Sequence, residues 1–151
     1  MEISNKLPQF DHQQAVIIVA SKQAADIYLA YQGEMEPQKE IRVETPEYSD
    51  REGHFERRSK GQTLSAGSVY EDKDEKTKTD FHNQLQSVLR EIKKQTNFGS
   101  VIFLRPSQHK QDIKDKLPKV FVDSTDLEID GNFVGDHPTK ILERIDKAAN
   151  Q

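Results

Sequence analysis

The feature that most constrains the fold is an unbroken apolar run, Ala15–Ala20. A strand with one wet face alternates apolar and polar residues, so six consecutive apolar residues indicate a strand that is covered on both faces. Val101–Leu104 is a second run of the same kind. Two such strands predict an α/β domain in which helices cover a sheet on both sides.

Two further strands are expected soon after the first run. Residues 26–31 are rich in aromatic and aliphatic side chains, and Gln32-Gly33 offers a turn directly after them. Ile41 and Val43 alternate with charged residues, which is the period of a strand with one face in water. Together with Ala15–Ala20, these segments predict an antiparallel meander.

The clearest helical signal lies in the middle of the chain. One apolar stripe recurs at helical spacing, made of Phe81, Leu85, Val88, Leu89 and Ile92. Ser68 and Glu71 have the spacing of a capping box, so the helix is expected to begin near Ser68. Asn97 and Gly99 mark its end, and the highly charged residues 71–80 are expected to form a solvated first part.

The rest of the chain predicts a parallel βαβ unit and a last helix. A helix opening at Ser107 follows the Val101–Leu104 strand, residues 120–122 form the next strand, and a final helix starts near Asp136 and Pro138. The inward residues of these two helices are Ile113, Leu117, Ile141, Leu142 and Ile145. The fold class is therefore a single α/β domain with a mixed five-stranded sheet, over residues 15–149 behind an N-terminal extension, residues 1–14.

Residues 45–68 have a different composition and are expected to form a long functional or flexible loop. They contain almost no aliphatic side chains but several glycines, and long loops of compact domains often carry function. Four basic residues cluster there, although the whole chain has a net charge of −4: Arg51, Arg57, Arg58 and Lys60. Such a group can bind phosphates, with arginine offering two parallel hydrogen bonds. The alternative interpretation is that residues 45–68 form a flexible solvated loop in which the Gly-Gln pair occurs by chance.

Several classes of chemistry are not supported by the residues. The chain has no cysteine, and its five histidines lack the spacing of a metal pair. The two buried-type strands carry no acid, so the carboxylate cluster of a two-metal nuclease is not expected. We therefore expect no metal and no cofactor. The start lacks a signal peptide and no apolar run is long enough to span a membrane, which predicts a cytoplasmic protein without a membrane partner.

Roughly residues 14–148 resemble the central domain of eukaryotic and archaeal release factor one and of Pelota. The chain is more similar to the bacterial relatives of that domain, which are labelled host attachment proteins or release-factor-like proteins. The resemblance rests on the strand order and on local patterns, namely the Ala15–Ala20 strand, Ala25-Asp26-Ile27-Tyr28, the basic glycine-containing loop, Phe81-His82-Asn83-Gln84-Leu85, Val101-Ile102-Phe103-Leu104-Arg105-Pro106 and Leu142-Glu143-Arg144-Ile145. It implies a ribonuclease H-like topology.

The resemblance also implies a site. In release factors, the loop after the third strand carries a Gly-Gly-Gln motif that helps water attack the peptidyl-tRNA ester. Here the corresponding residues are Lys60-Gly61-Gln62, so Gly61 and Gln62 match the last two motif positions. Lys60 replaces the first glycine and adopts some backbone angles only at a cost, so the catalytic tip is altered or lost.

Two functions remain open at this point. The first is a translation-associated protein that binds ribosomal RNA or tRNA through residues 51–62, with Arg51, Arg57, Arg58 and Lys60 on phosphates and Gln62 positioning water if hydrolysis survives. No codon-reading domain is recognisable, so it would act in ribosome rescue or beside a partner. The second is a non-enzymatic module that binds a protein partner or forms a homodimer, on a fold whose catalytic loop has degenerated.

Overall fold

The computed structural model describes the backbone of residues 1–44 and 60–150, and the side chains of residues 1–44 and 75–150. In chain order its strands and helices are β1 (Ala15–Ala20), β2 (Ala24–Tyr31), β3 (Glu34–Arg42), α1 (Lys60–Gln95), β4 (Ser100–Arg105), a 3-10 turn (Ser107–His109), α2 (Lys110–Lys114), α3 (Lys119–Asp123), β5 (Thr125–Asp130) and α4 (Pro138–Ala149).

The five strands form one mixed sheet in the order β3-β2-β1-β4-β5. β1, β2 and β3 pair antiparallel, and the pairing of Ile17 with Tyr28 shows the register of the first hairpin. β1 pairs with β4 in parallel, with Ile17 opposite Ile102, and β4 pairs with β5 in parallel. The predicted meander, the parallel unit and the fold class are confirmed.

The sheet separates two hydrophobic cores, which explains the unbroken apolar runs in β1 and β4. On one face α1, α2 and α3 cover the sheet, with a core that includes Val16, Ile18, Phe103, Phe81, Leu85, Leu89, Ile92, Ile113, Leu117 and Phe121. On the other face α4 covers it, with a core that includes Ile17, Val19, Ile102, Leu104, Ile141, Leu142 and Ile145. All the core residues predicted from helical spacing are buried except Val88, which is half-buried.

The first fourteen residues lie against the second face of the sheet. Ile3 is buried in that core, and its backbone N–H donates to the carbonyl of Gly33 at 2.7 Å. Leu7 and Phe10 pack against the same core. Residues 1–14 therefore contribute apolar surface to the domain.

The prediction of the last strand at residues 120–122 is wrong. This segment is part of the short helix α3, and β5 follows it at Thr125–Asp130. Pro118 precedes α3 in extended conformation, and a single helical turn buries Phe121 against the core. In β5 only Leu127 and Ile129 are apolar, and they alternate with acids as expected for an edge strand with a wet face. The strand was predicted at residues 120–122 because their apolar run is a stronger strand signal than the alternating pattern of β5.

The predicted start of the long helix near Ser68 is also wrong. α1 begins at Lys60 and is 36 residues long, so the part of the predicted loop from residue 60 onward is helical. Residues 45–59 lie outside the described residues. Gly61 and Gly67 each lower helix propensity, by about 1 kcal/mol relative to alanine, but adding residues to an existing helix needs no new nucleation.

Candidate functional site

One edge of the sheet gathers the ends of four strands. β1, β4 and β5 are parallel, and β3 points the same way because two antiparallel pairings separate it from β1. Their carboxyl ends therefore share one edge, which we call the carboxyl edge. In open α/β sheets ligands bind beyond this edge.

Helix α1 runs along the sheet and continues past the carboxyl edge. Its C-terminal end leads into the start of β4, where the backbone N–H of Gly99 donates to the carbonyl of Gln14. Near the carboxyl edge, Lys78 Nζ forms an ion pair with Asp112 Oδ2 at 3.0 Å. Asp112 lies in α2, just after β4 ends. Lys60 precedes Lys78 by 18 residues of helix, which corresponds to a rise of about 27 Å.

The structure places only part of the predicted site. Lys60, Gly61 and Gln62 form the first turn of α1, at the end of the helix that extends beyond the carboxyl edge. Arg51, Arg57 and Arg58 lie outside the described residues. Three members of the predicted site are thus consecutive on one helical turn rather than in a loop.

The base of this extension contains a buried histidine. His82 lies in α1 beside Phe81, with ring centroids 5.7 Å apart. Burial lowers the pKa of His82 from its ordinary value of 6.5, the charges of Lys78 and Lys116 lower it further, and Asp112 opposes them. The ion pair with Lys78 in turn lowers the pKa of Asp112. The contact between α1 and α2 therefore favours a neutral imidazole.

A buried arginine ties the ends of β4 and β5 together at the carboxyl edge. The Arg105 side chain is only 3% exposed, and it forms ion pairs with Asp130 and with Glu128, the latter at 3.3 Å. Lys114 in α2 also reaches Glu128, at 3.3 Å. The Arg105 Nε has no hydrogen-bond partner among the described residues. This network anchors the first turn after β4 to the neighbouring edge strand.

A buried aspartate connects β3 to the segment before α4. Asp26 accepts a hydrogen bond from Arg42 at 2.8 Å and another from the backbone N–H of Gly135 at 2.9 Å. Burial raises the pKa of the nearby Tyr28, the charges of Asp26 and Glu40 raise it further, and Arg42 opposes them. The end of β3, from which the chain continues toward Lys60, is thereby fixed on the sheet.

Sequence reasoning did not assign these two buried charges. A weak signal was present in each case, since Asp26 is the one acid in the apolar strand AADIYLAY and Arg105 ends the apolar strand SVIFLR. A lone charge in such a strand requires an opposite charge from a neighbouring element.

Neither a metal cluster nor a membrane span occurs in the described part of the chain. Among the side chains that the structure describes, no group of three or more His, Cys, Asp or Glu could hold a metal ion. Within residues 1–44 and 60–150, no helix is long and apolar enough to cross a membrane.

Comparison with known proteins gives matches among solved structures. No protein-family model matches the chain, and no curated protein matches it in sequence. The archaeal translation termination factor aRF1 superposes with a TM-score of 0.56 and 15% identity, covering 91% of this chain and 35% of aRF1. Dom34 of S. cerevisiae, a translation termination-like factor involved in RNA quality control that interacts with Hbs1, gives a TM-score of 0.46 and 11% identity, covering 95% of this chain and 33% of Dom34.

The match to aRF1 shows that this chain shares the fold of part of that factor. The chain spans about a third of the length of each of the two factors. The predicted likeness to the release-factor fold is therefore confirmed, while the host attachment family stays a prediction.

Proposed function

We propose that this protein acts in translation and binds ribosomal RNA or tRNA through residues 51–62. The observation that carries the proposal is the extension of α1, whose first turn holds Lys60-Gly61-Gln62 about 27 Å beyond Lys78 at the carboxyl edge. A narrow element of this length can enter a ribosomal cleft that excludes the sheet.

The charge distribution supports an RNA ligand at this end of the helix. Arg51, Arg57, Arg58 and Lys60 bring positive charge to a protein with a net charge of −4. The first turn of a helix has backbone N–H groups without intrahelical partners, and the helix dipole adds a partial positive charge there. Both effects favour phosphate.

The fold supports the same assignment. aRF1 is a translation termination factor, and the shared fold covers nearly the whole of this chain. At 15% identity the likeness concerns the fold, so the proposed ribosomal role depends on the basic residues and on the extension of α1.

Peptidyl-tRNA hydrolysis is a narrower form of this proposal. It requires Gln62 to orient a water molecule against the ester carbon, with Gly61 leaving room for the substrate. Lys60 stands where the release-factor motif has a glycine, so a hydrolytic role also requires that the lysine side chain turn away from the ester.

The helical state of residues 60–62 favours a second candidate, a non-enzymatic interaction module. A regular helix does not use the conformational freedom of Gly61, which a tight catalytic loop would need. In this alternative the extension of α1 binds a protein partner, and the Gly-Gln pair has no catalytic role.

Salt-dependent co-sedimentation with purified ribosomes tests the RNA proposal. Binding through three or four phosphates should weaken with salt at a slope of about −2 to −4 in log–log form. The double variant Arg57→Gln, Arg58→Gln should reduce that slope by about 1.5. Its matched control is Lys93→Gln, Lys94→Gln, which removes the same charge from the opposite end of α1.

Binding that is insensitive to salt, or equally weakened by the control, would reject the RNA proposal and favour the interaction module. Hydrolysis is tested separately by release of labelled peptide from ribosomes carrying peptidyl-tRNA with an empty A site. Gln62→Ala should abolish release, whereas Gln84→Ala, on the exposed face of the packed part of α1, should not. Binding without release would retain the RNA proposal and reject hydrolysis.

A further inference from the structure

An open cavity lined mostly by polar residues lies at the carboxyl edge, and its described lining does not include the first turn of α1. Three connections line it: the β1–β2 turn at residues 21–23, residues 106–109 after β4 and residues 130–132 after β5. Its volume is about 550 Å³, within the range of roughly 300–1,000 Å³ found for small-molecule sites. Its position at the ends of parallel strands is where α/β sheets bind ligands.

The lining of this cavity is suited to a ligand with many hydrogen-bonding groups. Among the described residues that line it, Pro106 has the one apolar side chain, while hydroxyl and amide groups come from all three connections. Ser107, Gln108 and Asn132 are exposed, and their side chains form no hydrogen bond with any residue that the structure describes. These groups can bind a ligand without breaking contacts within the protein.

The charges around the cavity favour an anion. Lys22 and His109 line the cavity with an ammonium and an imidazole group, and among the described residues that line it Asp130 is the one acid. That acid is already neutralised by its ion pair with the buried Arg105. A negatively charged group in the cavity could therefore contact Lys22, and among the described lining residues it would meet no unpaired carboxylate.

The rim of the cavity is held in place before any ligand binds. Ser21 Oγ donates to the carbonyl of Ala24 at 3.4 Å, and Gln23 Nε2 donates to the carbonyl of Val43 at 2.8 Å. After β5, the backbone N–H of Gly131 donates to the carbonyl of Arg105 at 2.9 Å. A preformed rim reduces the entropy that a ligand must lose on binding.

We propose that this cavity binds a ribose phosphate. The phosphate lies against Lys22 and His109, and the ribose hydroxyls bond to the amides of Gln108 and Asn132. The ribose phosphate comes from a free mononucleotide or from the terminal nucleotide of an RNA. The proposal stands on the cavity and does not require that α1 bind the ribosome.

Titration of the ¹⁵N-labelled full chain with adenosine and uridine monophosphate tests the proposal by NMR. Saturable amide shifts should concentrate at residues 21–23, 106–109 and 130–132. Lys22→Gln should weaken binding by about tenfold to a hundredfold through loss of a charged hydrogen bond. Asn132→Asp, which keeps the shape and adds a negative charge, should weaken it at least as much. Lys119→Gln is the control for charge, because Lys119 is exposed and does not line the cavity.

The comparison ligands separate ribose phosphate from simpler anions and identify its source. Ribose alone and inorganic phosphate alone should each bind at least tenfold more weakly than the mononucleotide. A short RNA with a 5′-phosphate that competes with the mononucleotide would identify an RNA end as a source, and failure to compete would leave the free nucleotide. Absence of saturable shifts, equal affinity for phosphate alone, or unchanged affinity in both cavity variants would overturn the proposal.

Discussion

The two halves of helix α1 differ in the pattern of their apolar residues. In the half described with side chains, Phe81, Leu85, Leu89 and Ile92 are buried against the sheet. The half from Lys60 to Asp74 rises beyond Lys78 and the carboxyl edge, and its sequence lacks a comparable stripe. Packing against the sheet specifies the half from Glu75 to Gln95. We infer that the packed half fixes the fold and the extended half carries the function.

The largest expected effect is a loss of stability in the packed half. Leu85→Ala removes a fully buried side chain from the core, which should lower the free energy of unfolding by about 2–5 kcal/mol. Gln84→Ala, at the neighbouring exposed position, should change it by less than about 0.5 kcal/mol. Urea denaturation measures both. Equal effects would contradict the burial of this stripe.

A smaller effect is expected from pH at the boundary between the halves. Because burial lowers the pKa of His82, the unfolded chain binds a proton at this residue more readily than the folded chain. Stability should therefore fall as the pH drops below about 6.5, toward the lower folded pKa. His82→Gln should make the free energy of unfolding less dependent on pH in that window.

The control for this change is His12→Gln, because His12 is exposed outside the helix. Its profile of unfolding free energy against pH should match the wild type between about pH 4.5 and 8.5, a window of roughly two units on each side of the ordinary histidine value. If His82→Gln and His12→Gln have the same slope, the environment assigned to His82 is wrong.

The smallest effect is expected in the extended half. If Gly61 is helical, Gly61→Ala should favour the local helix by about 0.5–1 kcal/mol and leave the unfolding of the core unchanged. Helical ¹³Cα shifts at residues 60–66 measure the local change. A decrease in helicity would show that Gly61 needs a conformation that alanine avoids, which would sharpen the case for a catalytic loop.

Elements specified by strong local patterns could be predicted from the sequence. The apolar runs in β1 and β4 indicate buried strands, and the stripe from Phe81 to Ile92 indicates a helix. The sheet is then predicted from the order of these elements along the chain. β5 could not be placed, because its register depends on pairing with β4 and on the bonds from Arg105 to Glu128 and Asp130. Such partners are distant in sequence and leave no local period.

The candidate site was predictable in composition but not in geometry. The basic residues and the Gly61-Gln62 pair are visible in the sequence, and their place in the chain order suggested their role. The first turn of α1 was missed because two glycines and a shortage of aliphatic residues resemble a loop. Three connections that are distant in sequence form the cavity, at residues 21–23, 106–109 and 130–132. These residues come close to one another only in the folded chain.

Directed hydroxyl-radical probing tests most directly the claim that the extended end of α1 contacts ribosomal RNA. The chain has no cysteine, so Gln62→Cys and Gln95→Cys each provide a single attachment point for an iron chelate, separated by about 50 Å of helix. With the protein bound to ribosomes, the probe at position 62 should cleave RNA strongly at few sites, and the probe at position 95 weakly or not at all. Equal cleavage from both positions, or stronger cleavage from position 95, would contradict the account.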